Sequence, residues 1–189
     1  MLEKIIQLDK QLFVFLNGLG SEQFDGFWLL ITKQFHWAPV FLFVFYLLYK
    51  KVGWKHLMLI LVSIAVLVTF SDQFTNLVKN NVQRLRPCND LEIKNIIRIV
   101  KASDTFSYFS GHAANSMAST VFVFLILRKY YKYAFLLFLF PLIFAYSRIY
   151  LGLHFPSDIL SGYFSGVLFG YGFSKLYLIF RKKYFPESI

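Results

Sequence analysis

The sequence predicts an all-α fold, a polytopic bundle of membrane-spanning helices preceded by an amphipathic helix that lies at the membrane interface. The first observation is composition: 57% of the 189 residues are hydrophobic, 24 are Phe, and the mean hydropathy is +0.54. A soluble domain does not need so much apolar surface. The second is that long apolar stretches alternate with short basic turns. The length suits one domain, residues 1–189, with interfacial helices in 1–35 and a transmembrane bundle in 36–183.

The first 35 residues predict two helices that do not cross the membrane. Asp9 faces away from a set of apolar residues that recur at helical spacing. These are Ile5, Leu8, Leu12 and Phe15. The pattern is typical of an amphipathic helix in the interface. Residues 23–34 predict a second, short helix. A bundle of six spans would require residues 5–31 to cross, which the charged residues of that segment oppose.

Five apolar stretches predict the transmembrane helices. They are residues 38–49, 54–79, 111–127, 134–150 and 156–180. In the last stretch Gly162, Gly166 and Gly170 recur every four residues, and such small residues let helices approach closely in lipid. Asp72 lies inside the second stretch, and an acid within a span usually has a partner. We therefore expect Asp72 to be the structural partner of a cation.

The basic residues of the chain indicate its orientation. The net charge is +10, but the cations lie beside apolar runs, as they do in loops that obey the positive-inside rule, so we exclude nucleic acid as a partner. Clusters around Lys51, Lys129 and Lys182 fall on one side of a five-span bundle, which that rule makes cytoplasmic. The loop 82–106 and His154 are then expected outside. The sequence has one cysteine, so no intrachain disulfide can form, and it has no His/Cys cluster with metal-ligand spacing.

Three groups of polar residues interrupt the apolar pattern at the predicted outer ends of helices. They are Lys79 with Arg86, Ser110 with Gly111 and His112, and Arg148 with His154 and Asp158. The cations can neutralise a phosphoryl group, and the arginines can do so through paired hydrogen bonds. Ser110 and Gly111 open a helix, where free backbone N–H groups favour an anion. These residues together indicate a phosphate site.

The two histidines and the carboxylate add reactive chemistry. His154 and Asp158 are four residues apart at a helix start, so their side chains can meet. A carboxylate on one ring nitrogen leaves the other nitrogen free to attack, and His112 is then left to protonate the leaving oxygen. Taken singly, each residue could instead be a headgroup anchor, an interfacial polar residue or a partner of the helix dipole. Taken together, they favour an enzyme that acts on phosphate at a membrane.

These residues carry a resemblance to a known family. The patterns Lys79-x6-Arg86-Pro87, Ser110-Gly111-His112 and Ser147-Arg148-x5-His154-x3-Asp158 resemble the three-part signature of the type 2 phosphatidic acid phosphatase superfamily. The resemblance spans residues 79–158, and its one visible departure is Phe109, where the family usually has proline.

The resemblance implies a phosphohistidine mechanism without a metal or other cofactor. By it, His154 is the nucleophile, Asp158 orients it and His112 is the general acid. The residues that would bind phosphate are Lys79, Arg86, Ser110, Gly111 and Arg148.

The resemblance also implies a function: an integral membrane phosphatase whose partners are a phosphorylated lipid substrate and the surrounding lipids. We expect it in a bacterial inner membrane with the site facing the periplasm. Small bacterial relatives favour undecaprenyl diphosphate as the substrate. Lipid A phosphate, phosphatidylglycerol phosphate and phosphatidic acid are alternatives, because one phosphate site would serve them all. A phosphate or lipid transporter is an alternative of another class, but it would need polar residues through the depth of its spans.

Overall fold

The computed structural model describes residues 2–185, so residue 1 and residues 186–189 of the predicted domain lie outside the described residues. Six α-helices account for most of the described chain, which contains no strand. The helices are α1 (Leu2–Gly18), α2 (Asp25–Ile31), α3 (Ala38–Val82), α4 (Gly111–Leu127), α5 (Leu139–Tyr150) and α6 (Pro156–Tyr184). The predicted all-α class is confirmed.

The helix α3 joins the first two predicted stretches into one 45-residue element with a break at Gly53. Gly53 has φ 73° and ψ 175°, a conformation that a residue with a Cβ rarely adopts. The break lies in the basic turn around Lys51, where the sequence predicts that one helix ends and another begins. The remaining predicted stretches coincide with α4, with α5 and the 3₁₀ turn Ala134–Phe138 before it, and with α6.

Helices α4 and α6 share the largest helix–helix contact and form the centre of the bundle. The glycine stripe of α6 lies against α4: a Cβ at Gly162 would sit 2.7 Å from the Ser110 carbonyl oxygen, and one at Gly166 would sit 2.6 Å from that of Ala114. Real side chains do not approach backbone this closely, so the stripe sets the distance between the two helices. The predicted packing role of the stripe agrees with this contact.

The helix α1 packs a mixed face, with two polar residues and one phenylalanine, against the protein and leaves much of its apolar stripe exposed. Asp9, Phe13 and Asn17 are buried, whereas Ile5 and Leu8 are 58% and 65% exposed. Asn17 donates hydrogen bonds from Nδ2 to three carbonyl oxygens, those of Arg98, Ile149 and Tyr150. The sequence predicts an amphipathic helix, and the structure adds that its mixed face is a packing face.

Within residues 2–185, the stretch Gln34–Asn89 is long and apolar enough to cross a membrane by length and composition. Gly111–Leu127 and Ala134–Tyr150 are shorter apolar helices. The count of five spans and the placement of α1 and α2 at the interface therefore remain predictions.

Candidate active site

The fold brings the three polar groups of the sequence to one cavity. Lys79 lies in the last turn of α3, Arg86 in the loop after it, and His112 in the first turn of α4. Arg148 lies in the last turn of α5, and His154 lies two residues before α6. All five side chains line a cavity of about 500 Å³ between α3, α4 and α5. Residues up to 75 positions apart in the chain therefore meet because successive helices end at the same level.

His154 has its two ring nitrogens in different environments. Nε2 lies 3.0 Å from Nη1 of Arg86, and Nδ1 lies 3.4 Å from Oδ2 of Asp158. An arginine can only donate, so the Arg86 contact assigns the lone pair to Nε2 and the ring proton to Nδ1, on the Asp158 side. Burial, followed by the charges of Arg86, Arg148 and Lys79, lowers the pKa of His154 well below its ordinary value. The imidazole is thus neutral, with Nε2 available as a nucleophile.

Asp158 is fully buried and held on both oxygens. Oδ2 accepts a hydrogen bond from the backbone N–H of Phe155 at 2.9 Å, and Oδ1 accepts one from Nη1 of Arg84 at 2.8 Å. The first bond caps the N-terminus of α6, where a carboxylate is favoured by the helix dipole. The i,i+4 spacing that places Asp158 beside His154 is therefore fixed by a helix cap.

Arg86 is anchored before any substrate binds. Its Nε and Nη2 donate to the carbonyl oxygen and to Oγ1 of Thr105 at 2.8 and 2.7 Å, and its Nη1 donates to the Leu153 carbonyl oxygen at 3.0 Å. Only 4% of Arg86 is exposed. A guanidinium held in this way presents a fixed charge to the cavity.

The remaining cavity residues, His112 and Arg148, are positioned by ring stacking and by a contact from the residue that follows α2. The His112 ring stacks on Phe144 with centroids 5.1 Å apart and an interplanar angle of 22°. Arg148 donates from Nη1 to Oγ1 of Thr32 at 2.7 Å, and its Nε is buried with no hydrogen-bond partner among residues 2–185. Arg148 thus retains a donor for an anion.

Gly111 and Ser110 lie at the start of α4 but in different surroundings. Gly111 lines the cavity. Ser110 is fully buried behind it, where Oγ accepts the backbone N–H of Ala113 at 3.3 Å and the Ser110 N–H donates to the Asp158 carbonyl oxygen at 3.0 Å. The structure therefore places Ser110 as a helix cap that ties α4 to α6, and its predicted contact with phosphate stays a prediction.

Arg84 and Asp9 form a polar network behind the histidine–aspartate pair, which the sequence does not predict. Arg84 bridges Asp158 to Asp9, whose Oδ2 accepts from Nη2 of Arg84 at 2.7 Å. The backbone N–H of Ser157 also donates to Asp9, at 2.9 Å to Oδ1. The spacing of Asp9, Phe13 and Asn17, one turn apart on α1, is the signal that could have revealed a packed mixed face.

Asp72 attracts the charge of Lys79 from a distance, which agrees with the predicted role of a structural partner for a cation, but it makes no direct ion pair with Lys79 among the described residues. Oδ1 of Asp72 accepts a hydrogen bond from the amide Nδ2 of Asn115 at 2.5 Å, and Asp72 forms no ion pair in the described part of the chain. Helices α3 and α4 pack side by side and bring the two residues together. Both side chains line the cavity.

The cavity has both a polar and an apolar lining. The polar lining includes the cations and histidines named above. The apolar lining includes Val40, Phe41, Val44, Ile64 and Phe140. An anionic head with a hydrocarbon tail matches this combination.

The chain is similar to one protein family and to two relatives that align with nearly its whole length. A sequence model of the PAP2 superfamily matches residues 56–182. The lipid A 4'-phosphatase of Bacteroides thetaiotaomicron is 34% identical over 186 residues, which cover 96% of this chain and 81% of that protein. The lipid A 4'-phosphatase of Porphyromonas gingivalis is 29% identical over 191 residues, which cover 99% and 80%.

Two solved structures have a similar fold. A transmembrane PAP2 type phosphatidylglycerolphosphate phosphatase from Bacillus subtilis superposes with a TM-score of 0.68 at 18% identity, covering 96% of this chain and 88% of that one. LpxE from Aquifex aeolicus superposes with a TM-score of 0.56 at 20% identity, covering 87% and 93%. At these identities the likeness concerns the fold.

Proposed function

The chain belongs to the PAP2 superfamily and is a phosphatase of membrane lipids, and on that premise we propose that it removes the 4'-phosphate monoester of lipid A. Both curated relatives described above carry the name lipid A 4'-phosphatase and align over at least 96% of this chain. They favour the lipid A alternative over undecaprenyl diphosphate, the first choice from the sequence.

The observation that carries the proposal is the position of Nε2 of His154 in a cavity that also holds three cations. Arg86 contacts this nitrogen at 3.0 Å, and Lys79 and Arg148 line the same space. A phosphoryl group seated against the cations would bring its phosphorus within reach of Nε2. Its nonbridging oxygens would then receive hydrogen bonds from Arg86 and Arg148.

The first chemical step transfers the phosphoryl group to the enzyme. Nε2 of His154 attacks phosphorus, the P–N bond forms, and the P–O bond to the sugar breaks. His112, protonated when the anionic phosphate is bound beside it, gives its proton to the departing sugar oxygen. Asp158, beside Nδ1, stabilises the positive charge that develops on the His154 ring. The cations stabilise the charge on the equatorial oxygens.

The second step hydrolyses the phosphohistidine. His112, now neutral, takes a proton from a water molecule whose oxygen attacks phosphorus. The P–N bond breaks, its electrons return to Nε2 of His154, and inorganic phosphate leaves. His112 and His154 are then in their starting states. The two histidines face one cavity, so His112 can act first as acid and then as base on the phosphorus bound to His154.

The same proposal includes location and sidedness. The chain is an integral membrane protein, and we place its site at the outer face, which is the periplasmic face in a bacterial inner membrane. The basic clusters around Lys51, Lys129 and Lys182 support this orientation. Lipid A phosphate would reach the cavity sideways from the outer leaflet, with its acyl chains against the apolar lining.

The test is phosphate release by the purified protein in detergent with EDTA present. The panel is lipid A, phosphatidic acid, phosphatidylglycerol phosphate and undecaprenyl diphosphate. We expect the highest kcat/KM on lipid A, with loss of the 4'-phosphate seen by mass spectrometry. We expect no dependence on added Mg²⁺, because three fixed cations supply the charge that a metal supplies elsewhere. Preferred hydrolysis of another lipid overturns the substrate proposal, and strict metal dependence overturns the mechanism.

A further inference from the structure

We infer that Asp72 and Asn115 form a subsite that binds hydroxyl and amide groups of a phosphorylated sugar, and that this subsite selects an acylated amino sugar over other lipid phosphates. The inference rests on the proposed function and deepens it. The phosphate groups of all candidate lipids are alike, so selection among them requires contacts beyond the cations and histidines.

The position of the pair suits a group attached to the phosphate. Asp72 precedes Lys79 by seven residues on α3, which is about 10 Å along a helix axis. Asn115 follows His112 by three residues, one turn further into α4. A Cβ placed on Gly111 would lie 4.0 Å from Oδ1 of Asp72, so the carboxylate lies beside the start of α4. The subsite is therefore next to the phosphate-binding end of the cavity, toward the membrane interior.

The pair is oriented but not saturated. Asn115 donates to Oδ1 of Asp72, and Oδ2 of Asp72 accepts no hydrogen bond from the part of the chain that the structure describes. Oδ1 of Asn115 is buried and likewise has no donor among the described residues. Asp72 is exposed on the cavity wall, and an accessible carboxylate oxygen without a donor from the described part of the protein is open to a ligand that offers O–H or N–H groups.

The chemistry of an acceptor decides which lipid fits. A carboxylate only accepts, so its ligand must offer an O–H or N–H group. Beyond its terminal phosphate, an isoprenoid diphosphate has a second phosphate and then hydrocarbon, and phosphatidic acid has ester oxygens, which are acceptors. Phosphatidylglycerol phosphate offers a single glycerol hydroxyl. An acylated amino sugar has hydroxyl and amide donors beside its phosphate. A site built to bind such donors discriminates strongly against analogues that lack them, because its own polar groups are then left unpaired.

The competing explanation is that Asp72 only balances the charge of Lys79. Asp72 attracts the charge of Lys79 but forms no direct ion pair within residues 2–185, so both explanations are compatible with the structure. The two explanations differ in their effect on the phosphate site. A counter-charge would change the binding of every phosphate, whereas a sugar subsite would change the binding of the sugar substrate alone.

The experiment compares wild type, Asp72→Asn and Gln73→Ala in two assays. Gln73 is exposed on the same helix and is not among the cavity-lining residues, so Gln73→Ala is the matched control. We expect Asp72→Asn to lower kcat/KM on lipid A by about 10- to 100-fold, the effect of losing a hydrogen bond to a charged group. Orthovanadate, which mimics phosphate without a sugar, should inhibit all three proteins with the same Ki within about threefold. An unchanged Ki also shows that the variant is folded.

Each other outcome overturns the inference in a recognisable way. If wild type does not hydrolyse lipid A, the proposed function fails and the subsite fails with it. If wild type hydrolyses lipid A and Asp72→Asn is equally active, only the subsite inference fails. If Asp72→Asn loses affinity for orthovanadate in parallel with its loss of activity, Asp72 serves the phosphate site, and again only the subsite inference fails.

Discussion

The two sides of the His154 ring are the smallest unit on which the proposed chemistry depends. Arg86 donates toward Nε2 and the Asp158 carboxylate lies 3.4 Å from Nδ1, so both neighbours favour the tautomer with its proton on Nδ1. The ring is 1% exposed, and water therefore does not compete for either nitrogen. When phosphate enters, Arg86 can transfer its hydrogen bond to the phosphate and release Nε2. The cation that holds the nucleophile in the free enzyme would thus become a phosphate ligand during the reaction.

The first prediction concerns this nucleophile. His154→Ala should lower kcat by at least about 10³-fold, because losing a covalent nucleophile typically costs several decades in rate. His36→Ala is the control, since His36 is exposed and its contact is to the Leu30 carbonyl oxygen. Lipid phosphatase assays and a thermal melt in detergent separate loss of chemistry from loss of fold. A folded His154→Ala protein with more than a tenth of wild-type activity would rule out His154 as the nucleophile.

For individual residues, the sequence predicts which side chains line the cavity but not which partners hold them in place. Lys79, Arg86, His112, Arg148 and His154 can be identified because each motif places its residues at a helix end, which local spacing reveals. Partners from distant segments leave no local pattern. The bond from Arg84 to Asp9 joins residues separated by 75 positions, and the bond from Arg148 to Oγ1 of Thr32 joins residues separated by 116. Such contacts follow from how the helices pack, which spacing alone does not specify.

Among the helices, α1 is a structural part of the site. Its Asp9 accepts from Arg84 and from Ser157, and Arg84 in turn holds Asp158. Asp9 is 9% exposed and Asp158 is fully buried, so the guanidinium between them compensates two carboxylates. Removing one partner of a buried charge group is strongly destabilising, because the other charge stays buried without compensation.

The second prediction tests this link from α1 to the active site. Arg84→Lys keeps the positive charge but cannot bridge both carboxylates with a planar fork, so we expect kcat to fall by about 10-fold or more with a smaller change in KM. Asp9→Asn should show the same trend more weakly. Lys10→Gln is the control, because Lys10 pairs with Asp90 and Glu92 and does not contact this network. Equal activity of Arg84→Lys and wild type would show that the bridge does not position Asp158.

The contact between α4 and α6 fixes the two halves of the site relative to each other. Helix α4 carries Gly111 and His112, and α6 begins two residues after His154. The glycine stripe lets the backbones meet, with the Gly162 position against the Ser110 carbonyl. At the same end of the two helices, the Ser110 N–H donates a hydrogen bond to the Asp158 carbonyl oxygen. The separation of the acid and the nucleophile is therefore set by small residues.

The third prediction separates close packing from general glycine effects. A Cβ at Gly166 would lie 2.6 Å from the Ala114 oxygen and 2.8 Å from Cβ of Met117, whereas one at Gly172 would have no neighbour within 4 Å. Gly166→Ala should destabilise by about 1–3 kcal/mol through overpacking, which lowers Tm by several degrees at ~2–4 °C per kcal/mol. Gly172→Ala on the same helix should be neutral or slightly stabilising. Thermal unfolding in detergent measures both, and equal melting temperatures would contradict the packing role.

For the whole molecule, the distribution of compensated charge supports an outward-facing site. The outer loop of the predicted topology also carries cations, which weakens a simple count. The structure shows that two of them are paired with acids of the N-terminal segment, Arg84 with Asp9 and Arg98 with Asp25. Such pairs reduce the positive charge that would have to cross the membrane.

The fourth prediction fixes the orientation of the molecule. In a Cys88→Ser background, Asn95→Cys should react with a membrane-impermeant thiol reagent in intact cells, and Lys182→Cys should react only after permeabilisation. Asn95 and Lys182 are both exposed, whereas the native Cys88 is 7% exposed, so access to the reagent depends on the side of the membrane. Short loops rich in Lys and Arg resist translocation, and Lys182 belongs to such a cluster. Retained activity on lipid A provides the folding control. Labelling of Lys182→Cys but not of Asn95→Cys in intact cells would place His112 and His154 in the cytoplasm, and the substrate would then have to be a lipid phosphate exposed on that face.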